Sequence, residues 1–110
     1  MARWRIHFVS DAERDVSAVI EYSAATFGAR QAKVYETTLT LAFMALRAGP
    51  GLRGSIAHNE LGTGIRSLHV ARGGRRGRHM IIYRELPGRT IEVLRVLHDA
   101  MDLARHVPKV

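Results

Sequence analysis

The chain predicts an α+β fold in the order β-α-α-β-β-β-α, a helical hairpin packed on one face of a small, mainly antiparallel sheet. Three observations predict it. A period-two stretch opens the chain, two consecutive stretches of three- and four-residue apolar spacing follow, and three β-rich runs separated by Gly-rich turns come last. At 110 residues the whole is expected to be one domain, spanning 1–110, with a single core.

Trp4, Ile6 and Phe8 alternate with Arg3, Arg5 and His7, the pattern of a half-buried first strand. Ser10-Asp11-Ala12-Glu13 then reads as a capping box, with Ser10 as N-cap and Glu13 reaching back to it. Ala12, Val16, Val19, Ile20, Ser23 and Phe27 fall on one helical face, and Gly28 ends that helix. Ala32, Tyr35, Leu39, Ala42, Phe43 and Leu46 define the second helix, which Gly49-Pro50-Gly51 stops. Short spacing between the two predicts an αα-hairpin. Residues 49–64 hold five glycines without periodicity and are expected to form a loop. Strands follow at Ile65–Arg72, Arg78–Glu85 and Thr90–Leu97, the last two joined by the turn Leu86-Pro87-Gly88-Arg89. Asp99–His106 closes the order as a short helix, with Met101, Ala104 and Val107 turned inward. Tyr22, Phe27, Tyr35, Phe43 and Tyr83 are read as core residues.

Composition bounds the function classes. Apolar and charged fractions of 46% and 25% match a globular protein. The longest apolar stretch, Leu41–Leu46, is too short to span a bilayer, and the N-terminus lacks the pattern of a secretory signal. With no cysteine there is neither a disulfide framework nor thiolate chemistry. A cytoplasmic, bacterial protein that needs no cofactor and no membrane is the expectation.

The charge is unevenly placed. Residues 1–64 hold seven basic and six acidic side chains, whereas residues 65–110 hold ten and four, so the second half supplies most of the net +7. Fifteen of the seventeen basic residues are arginine, whose planar fork suits phosphates and carboxylates. A genome of high G+C content would favour arginine over lysine, but it would not cluster it. In the turn Arg72-Gly73-Gly74-Arg75-Arg76-Gly77-Arg78 four arginines are expected at a mobile, solvated tip. No aromatic residue interleaves with them, which disfavours base stacking and makes a protein partner at least as good a match as a nucleic acid. His98, Asp102 and His106 share the i, i+4, i+8 spacing of a helical metal site, but His98 is assigned to the end of a strand, so no metal is expected.

These pieces, in this order, resemble the ParE branch of the RelE/ParE toxin superfamily. The resemblance rests on "AERD" (Ala12–Asp15), "YSAATFG" (Tyr22–Gly28), "GIRSLHV" (Gly64–Val70), "RHMIIYR" (Arg78–Arg84) and "IEVLRVLHDAMDLARHV" (Ile91–Val107). Each fragment alone is weak; their order and spacing across nearly the whole chain carry it. The resemblance implies the toxin of a type II toxin–antitoxin pair, neutralised by a ParD-like antitoxin in a hetero-oligomer. For the ParE branch it implies binding to DNA gyrase rather than catalysis; the residues expected to bind that target are Arg72, Arg75, Arg76, Arg78, Arg95 and His98. Trp4 on an edge strand, and Val34 and Leu41 on the hairpin, are the expected antitoxin contacts. The alternative is a RelE-like, ribosome-dependent mRNA endonuclease, in which Arg66 and Arg95 would stabilise the phosphorane and His98 transfer a proton. A non-toxic relic that still binds antitoxin is a third possibility.

Overall fold

The computed structural model describes residues 3–107. Its order is β1 (Arg5–Phe8), α1 (Ser10–Phe27), α2 (Ala29–Ala45), β2 (Ile56–Ala57), β3 (Arg66–His69), β4 (His79–Leu86), β5 (Thr90–His98) and α3 (Leu103–His106). The five strands form one sheet in the order β1-β5-β4-β3-β2. β2 to β5 pair antiparallel, and β1 lies parallel to β5 at the edge, with Ile6 opposite Ile91 and Phe8 opposite Val93. The expected α+β architecture is therefore present, with one added strand: β2 is a two-residue ladder inside the stretch expected to be a loop. Two residues are too few to leave a periodic signal.

The helical hairpin turns on a single residue. Gly28 has φ 93° and ψ 163°, a conformation closed to residues with a Cβ. Its amide bonds to Ala24 O and its carbonyl accepts from Ala32 N, so it ends one helix and starts the next. The hairpin covers one sheet face, where Leu39, Ala42 and Leu46 meet Leu68, Val70, Ile81, Tyr83, Ile91 and Val93. On the opposite face Ile65, Ile82, Leu94 and Leu97 form a smaller cluster, capped by Val107 and Leu103 from the C-terminal segment.

A bulge in β5 distributes these side chains. Ile82 lies opposite Arg95, but the next pair is Tyr83 with Val93, so Leu94 is the extra residue. The bulge puts Val93 and Val96 both toward the hairpin, Leu94 on the far face, and frees a backbone amide. Asp15 of α1 takes that amide, accepting from Val96 N at 2.9 Å, and accepts from Arg95 Nε at 2.7 Å and Nη2 at 3.0 Å. Arg95 also donates to His106 O at 2.8 Å. One carboxylate thus ties α1, the bulge and the C-terminal segment together.

Several expectations are corrected. The N-cap of α1 is Val9, not Ser10: Val9 is extended, its amide bonds to Val93 O, and its carbonyl accepts from Glu13 N. Strand pairing carries the backbone up to Val9, which leaves Ser10 already helical and no capping box. Tyr22 and Phe27 are exposed (66% and 65%) rather than in the core. Tyr22 sits one residue, about 100°, off the face of Ser23, and Phe27 is the last helical residue, past the last buried layer. Tyr35 and Phe43 are half-buried, and Tyr83 is fully buried with its hydroxyl donating to Pro50 O at 2.6 Å. The closing helix is a single turn, Leu103–His106, N-capped by Asp102, whose side chain accepts from Ala104 N. Residues 99–101 form turns instead, because Asp99 N bonds to Arg78 O and Met101 N to His98 O. Val107 is buried as expected, but Met101 and Ala104 face out.

Candidate functional site

The strand register gathers polar chemistry at one end of the sheet. His69 ends β3, His79 begins β4 and His98 ends β5. His79 is paired with His98 on the hairpin face, whereas His69 is paired with the neighbouring Met80 and points to the opposite face, joined to the other two at this end of the sheet through Asp99. The His79 and His98 rings meet edge to face at 5.5 Å between centroids. From α2, Tyr35 brings its hydroxyl 2.7 Å from His79 Nδ1. The Tyr35 oxygen also accepts from Arg78 N, so its proton is free to be donated to a neutral His79. Burial, and then the neighbouring His98, hold the His79 pKa below the usual imidazole value. Burial likewise raises the Tyr35 phenol above its ordinary value.

Asp99 joins the cluster from the other side. It accepts from Arg78 Nε at 3.0 and 3.1 Å and sits 2.9 Å from His69 Nε2. The Arg78 guanidinium first, and His69 second, hold its carboxyl well below the usual carboxylate range. Sequence reading missed His69, His79, Tyr35 and Asp99 as a group. They are scattered along the chain, and only the strand register unites them.

The basic turn beside this cluster is less free than expected. Arg75 leans onto α2, donating from Nε to Thr38 Oγ1 at 2.9 Å and from Nη2 to Val34 O at 3.1 Å. Arg78 is held by Asp99, and Arg72 donates to Arg53 O at 3.3 Å with its Nη1 buried and without a partner among the described residues. Of the four arginines, Arg76 alone is exposed with no hydrogen-bond partner among the described residues. The tip is thus a pinned edge rather than a mobile one. Arg95 is committed to Asp15, while His98 stays about 41% exposed and accepts from Ala100 N.

The trio expected for RNA cleavage is not brought together. Arg66 pairs with Tyr83, four residues along β4 from His79 and roughly 13 Å away at strand rise. It donates to Ser55 Oγ at 2.8 Å and lines a polar groove of about 740 Å³ with Arg84, Leu86 and Pro87. No group of three His, Asp or Glu among the described residues is disposed to hold a metal ion. His98 and Asp102 do not share a helix, since His98 belongs to β5.

A second relay has the donor order of a serine hydrolase: Glu60 lies 3.1 Å from His58 Nδ1, and His58 Nε2 lies 2.7 Å from Ser67 Oγ. Ser67 is only 2% exposed, so no carbonyl can reach its oxygen, and the relay serves to pin the 58–60 turn onto β3.

The expected partner-facing residues divide. Val34 and Leu41 are exposed at 46% and 47%. Trp4 is half-buried, its indole against Gly49 and the Arg89 guanidinium 5.6 Å above its ring. Leu41 borders an apolar groove of about 530 Å³ between α1 and α2, floored by Phe8, Leu39 and Phe43. Among the described residues no helix is long and apolar enough to cross a membrane.

Comparison with known proteins yields one family model, "ParE toxin of type II toxin-antitoxin system, parDE", which matches residues 6–103. Two solved structures are similar. The chromosomal ParDE system of P. aeruginosa superposes with a TM-score of 0.67 at 18% identity, covering 86% of this chain and 95% of that one. The RelBE2 toxin–antitoxin complex of Mycobacterium tuberculosis superposes with a TM-score of 0.57 at 24% identity, covering 87% and 98%. At these identities the two likenesses show a shared fold. No curated protein matches.

Proposed function

This chain belongs to the ParE toxin family of type II toxin–antitoxin systems, and from that premise we propose that it acts in the cytoplasm by binding DNA gyrase, and that a ParD-like antitoxin neutralises it in a hetero-oligomer. The observation that carries the binding reading is the pinned basic edge. Arg75 is fixed to α2 and Arg78 to Asp99, which pre-organises the turn itself and the Arg78 side chain, while Arg76 projects from the braced backbone. Fixed side chains lose little entropy on docking to an acidic protein surface. Of the target residues expected from the sequence, Arg76, Arg78 and His98 reach solvent and are the proposed contacts; Arg72 and Arg75 brace the turn, and Arg95 is tied to Asp15 and the C-terminal segment. Two grooves lie away from this edge, one on the hairpin and one beside Arg66. Val34 and Leu41 remain the proposed antitoxin contacts, with Trp4 supporting the edge strand.

A second reading, RNA cleavage on the ribosome, is favoured by one observation: Tyr35, His79 and His98 supply the acid–base groups that it needs. It would run through these residues and not through Arg66 and Arg95. Purified protein tested for inhibition of gyrase supercoiling, together with transcript mapping in expressing cells, separates the two. Blocked supercoiling with intact transcripts is the expected result. Codon-phased cleavage with unaffected gyrase would replace the first reading with the second. Neither effect, with normal growth, would leave a relic that has lost toxicity.

A further inference from the structure

The groove between α1 and α2 carries a charge opposite to that of the molecule. Its floor is apolar: Phe8 and Phe43 meet edge to face at 4.8 Å, and Leu39 is 2% exposed. The charged residues that line it are Glu13, on the first turn of α1, and Glu36, on α2. Both carboxylates are exposed, and neither has an ion-pair or hydrogen-bond partner among the described residues. Among the described residues, no arginine, lysine or histidine lines the groove. Because the helices run antiparallel, Glu13 faces the region of Phe43, and Glu36 lies about two turns back toward the hairpin tip. An apolar trough is thus bordered at each end by an uncompensated negative charge, on a chain whose net charge is +7.

We infer that this groove receives a helical segment of the antitoxin with an apolar anchor flanked by lysine or arginine, not an acidic segment. The inference rests on the toxin–antitoxin reading and deepens it. The anchor would cover Leu41 and fill the space above Phe8 and Phe43, as an amphipathic helix fills a hydrophobic groove. Its flanking cations would meet Glu13 and Glu36. Acidic residues elsewhere in the antitoxin would then serve the arginine edge, which abuts α2 at Val34 and Thr38. Net charge alone predicts the reverse preference, since a +7 protein draws acidic peptides in every non-specific encounter. A preference for the basic-flanked segment can come only from a local feature.

The test uses two short helix-forming peptides with the same leucine face, one with lysines and one with glutamates at its ends, titrated onto the free protein by fluorescence anisotropy. The lysine peptide is expected to bind roughly tenfold tighter at low salt, a preference that added salt erodes. Glu13→Lys with Glu36→Lys should reverse it. Glu36→Lys alone, which leaves the first turn of α1 intact, should abolish it. Equal binding, or a preference for the glutamate peptide on the unmodified protein, overturns the inference. So does self-association that Glu36→Lys disrupts, which would assign the groove to a second copy of the chain. Expression in cells with and without the neighbouring gene's product tests the underlying reading separately. Growth arrest relieved by that product, with no peptide preference, defeats the groove and leaves the toxin. A peptide preference without growth arrest or its relief defeats the antitoxin as the occupant.

Discussion

Asp15 shows how one carboxylate can hold a fold whose surface is mostly cationic. Its oxygens accept three hydrogen bonds, two from Arg95 and one from the amide exposed by the bulge, and its side chain is only 17% exposed. Removing one partner of a desolvated pair costs more than the pair contributes, because the other charge is stranded. Asp15→Ala should destabilise the protein by about 2–3 kcal/mol in a denaturant titration. Asp15→Ala combined with Arg95→Ala should cost clearly less than the two singles together. His79 makes a different prediction. Its folded-state pKa lies below the ordinary imidazole value, so the unfolded chain takes up the proton first. Stability should be full above about pH 6.5 and decline as pH falls below it, and His79→Gln should flatten that slope in thermal melts. Asp99, whose pKa is also lowered, adds a second decline below about pH 4. At this scale the sequence was a partial guide. It marked the arginines and His98 as chemically important, but it could not reveal that Arg95 and Arg75 are spent on internal bonds, because their partners are 80 and 37 residues away.

Among the elements, the turn before β4 is set by close packing. A Cβ on Gly77 would lie 2.7 Å from Val70 Cγ2 and 2.8 Å from Tyr35 Oη, so only glycine fits without movement. Gly77→Ala should displace Tyr35 from His79 and cost about 1–3 kcal/mol; thermal melts would read the loss, and the His79 imidazole should titrate nearer its ordinary value by NMR. The regular elements were legible because periodicity reports a buried face directly: both long helices and the strands β1, β3, β4 and β5 stand where the apolar spacing put them, within a few residues. What escaped were features set by tertiary hydrogen bonds. The β5 bulge, the two-residue β2 and the turn at 99–101 each depend on a partner remote in sequence, and Ser10 failed as a cap because β1 claimed the residue before it.

For the whole molecule, the asymmetry of charge visible in the sequence becomes an asymmetry of surfaces: a basic sheet end, and a helical groove edged by acids. Association through the basic end should be steered by long-range attraction and screened by salt. Arg76→Glu is expected to slow binding to an acidic target severalfold, mainly in the association rate and most strongly at low salt, while leaving thermal stability within about 0.5 kcal/mol; stopped-flow or surface-resonance kinetics with gyrase, the proposed target, would measure it. The fold class was readable at this scale because layer architecture follows from the order of elements. The histidine cluster was not, since it exists only once the register of β3, β4 and β5 is set.

The parallel pairing of β1 with β5 has a consequence in time. The first strand made has no place in the sheet until the last strand has been made, and α1 rests on that same last strand. A chain emerging from the ribosome therefore carries its helical hairpin with an uncovered apolar face until β5 is available to receive it. A chain broken off before residue 95 has neither the Asp15–Arg95 tie nor His98. For a member of a toxin family, synthesis and assembly of the sheet thus depend on the same stretch of message.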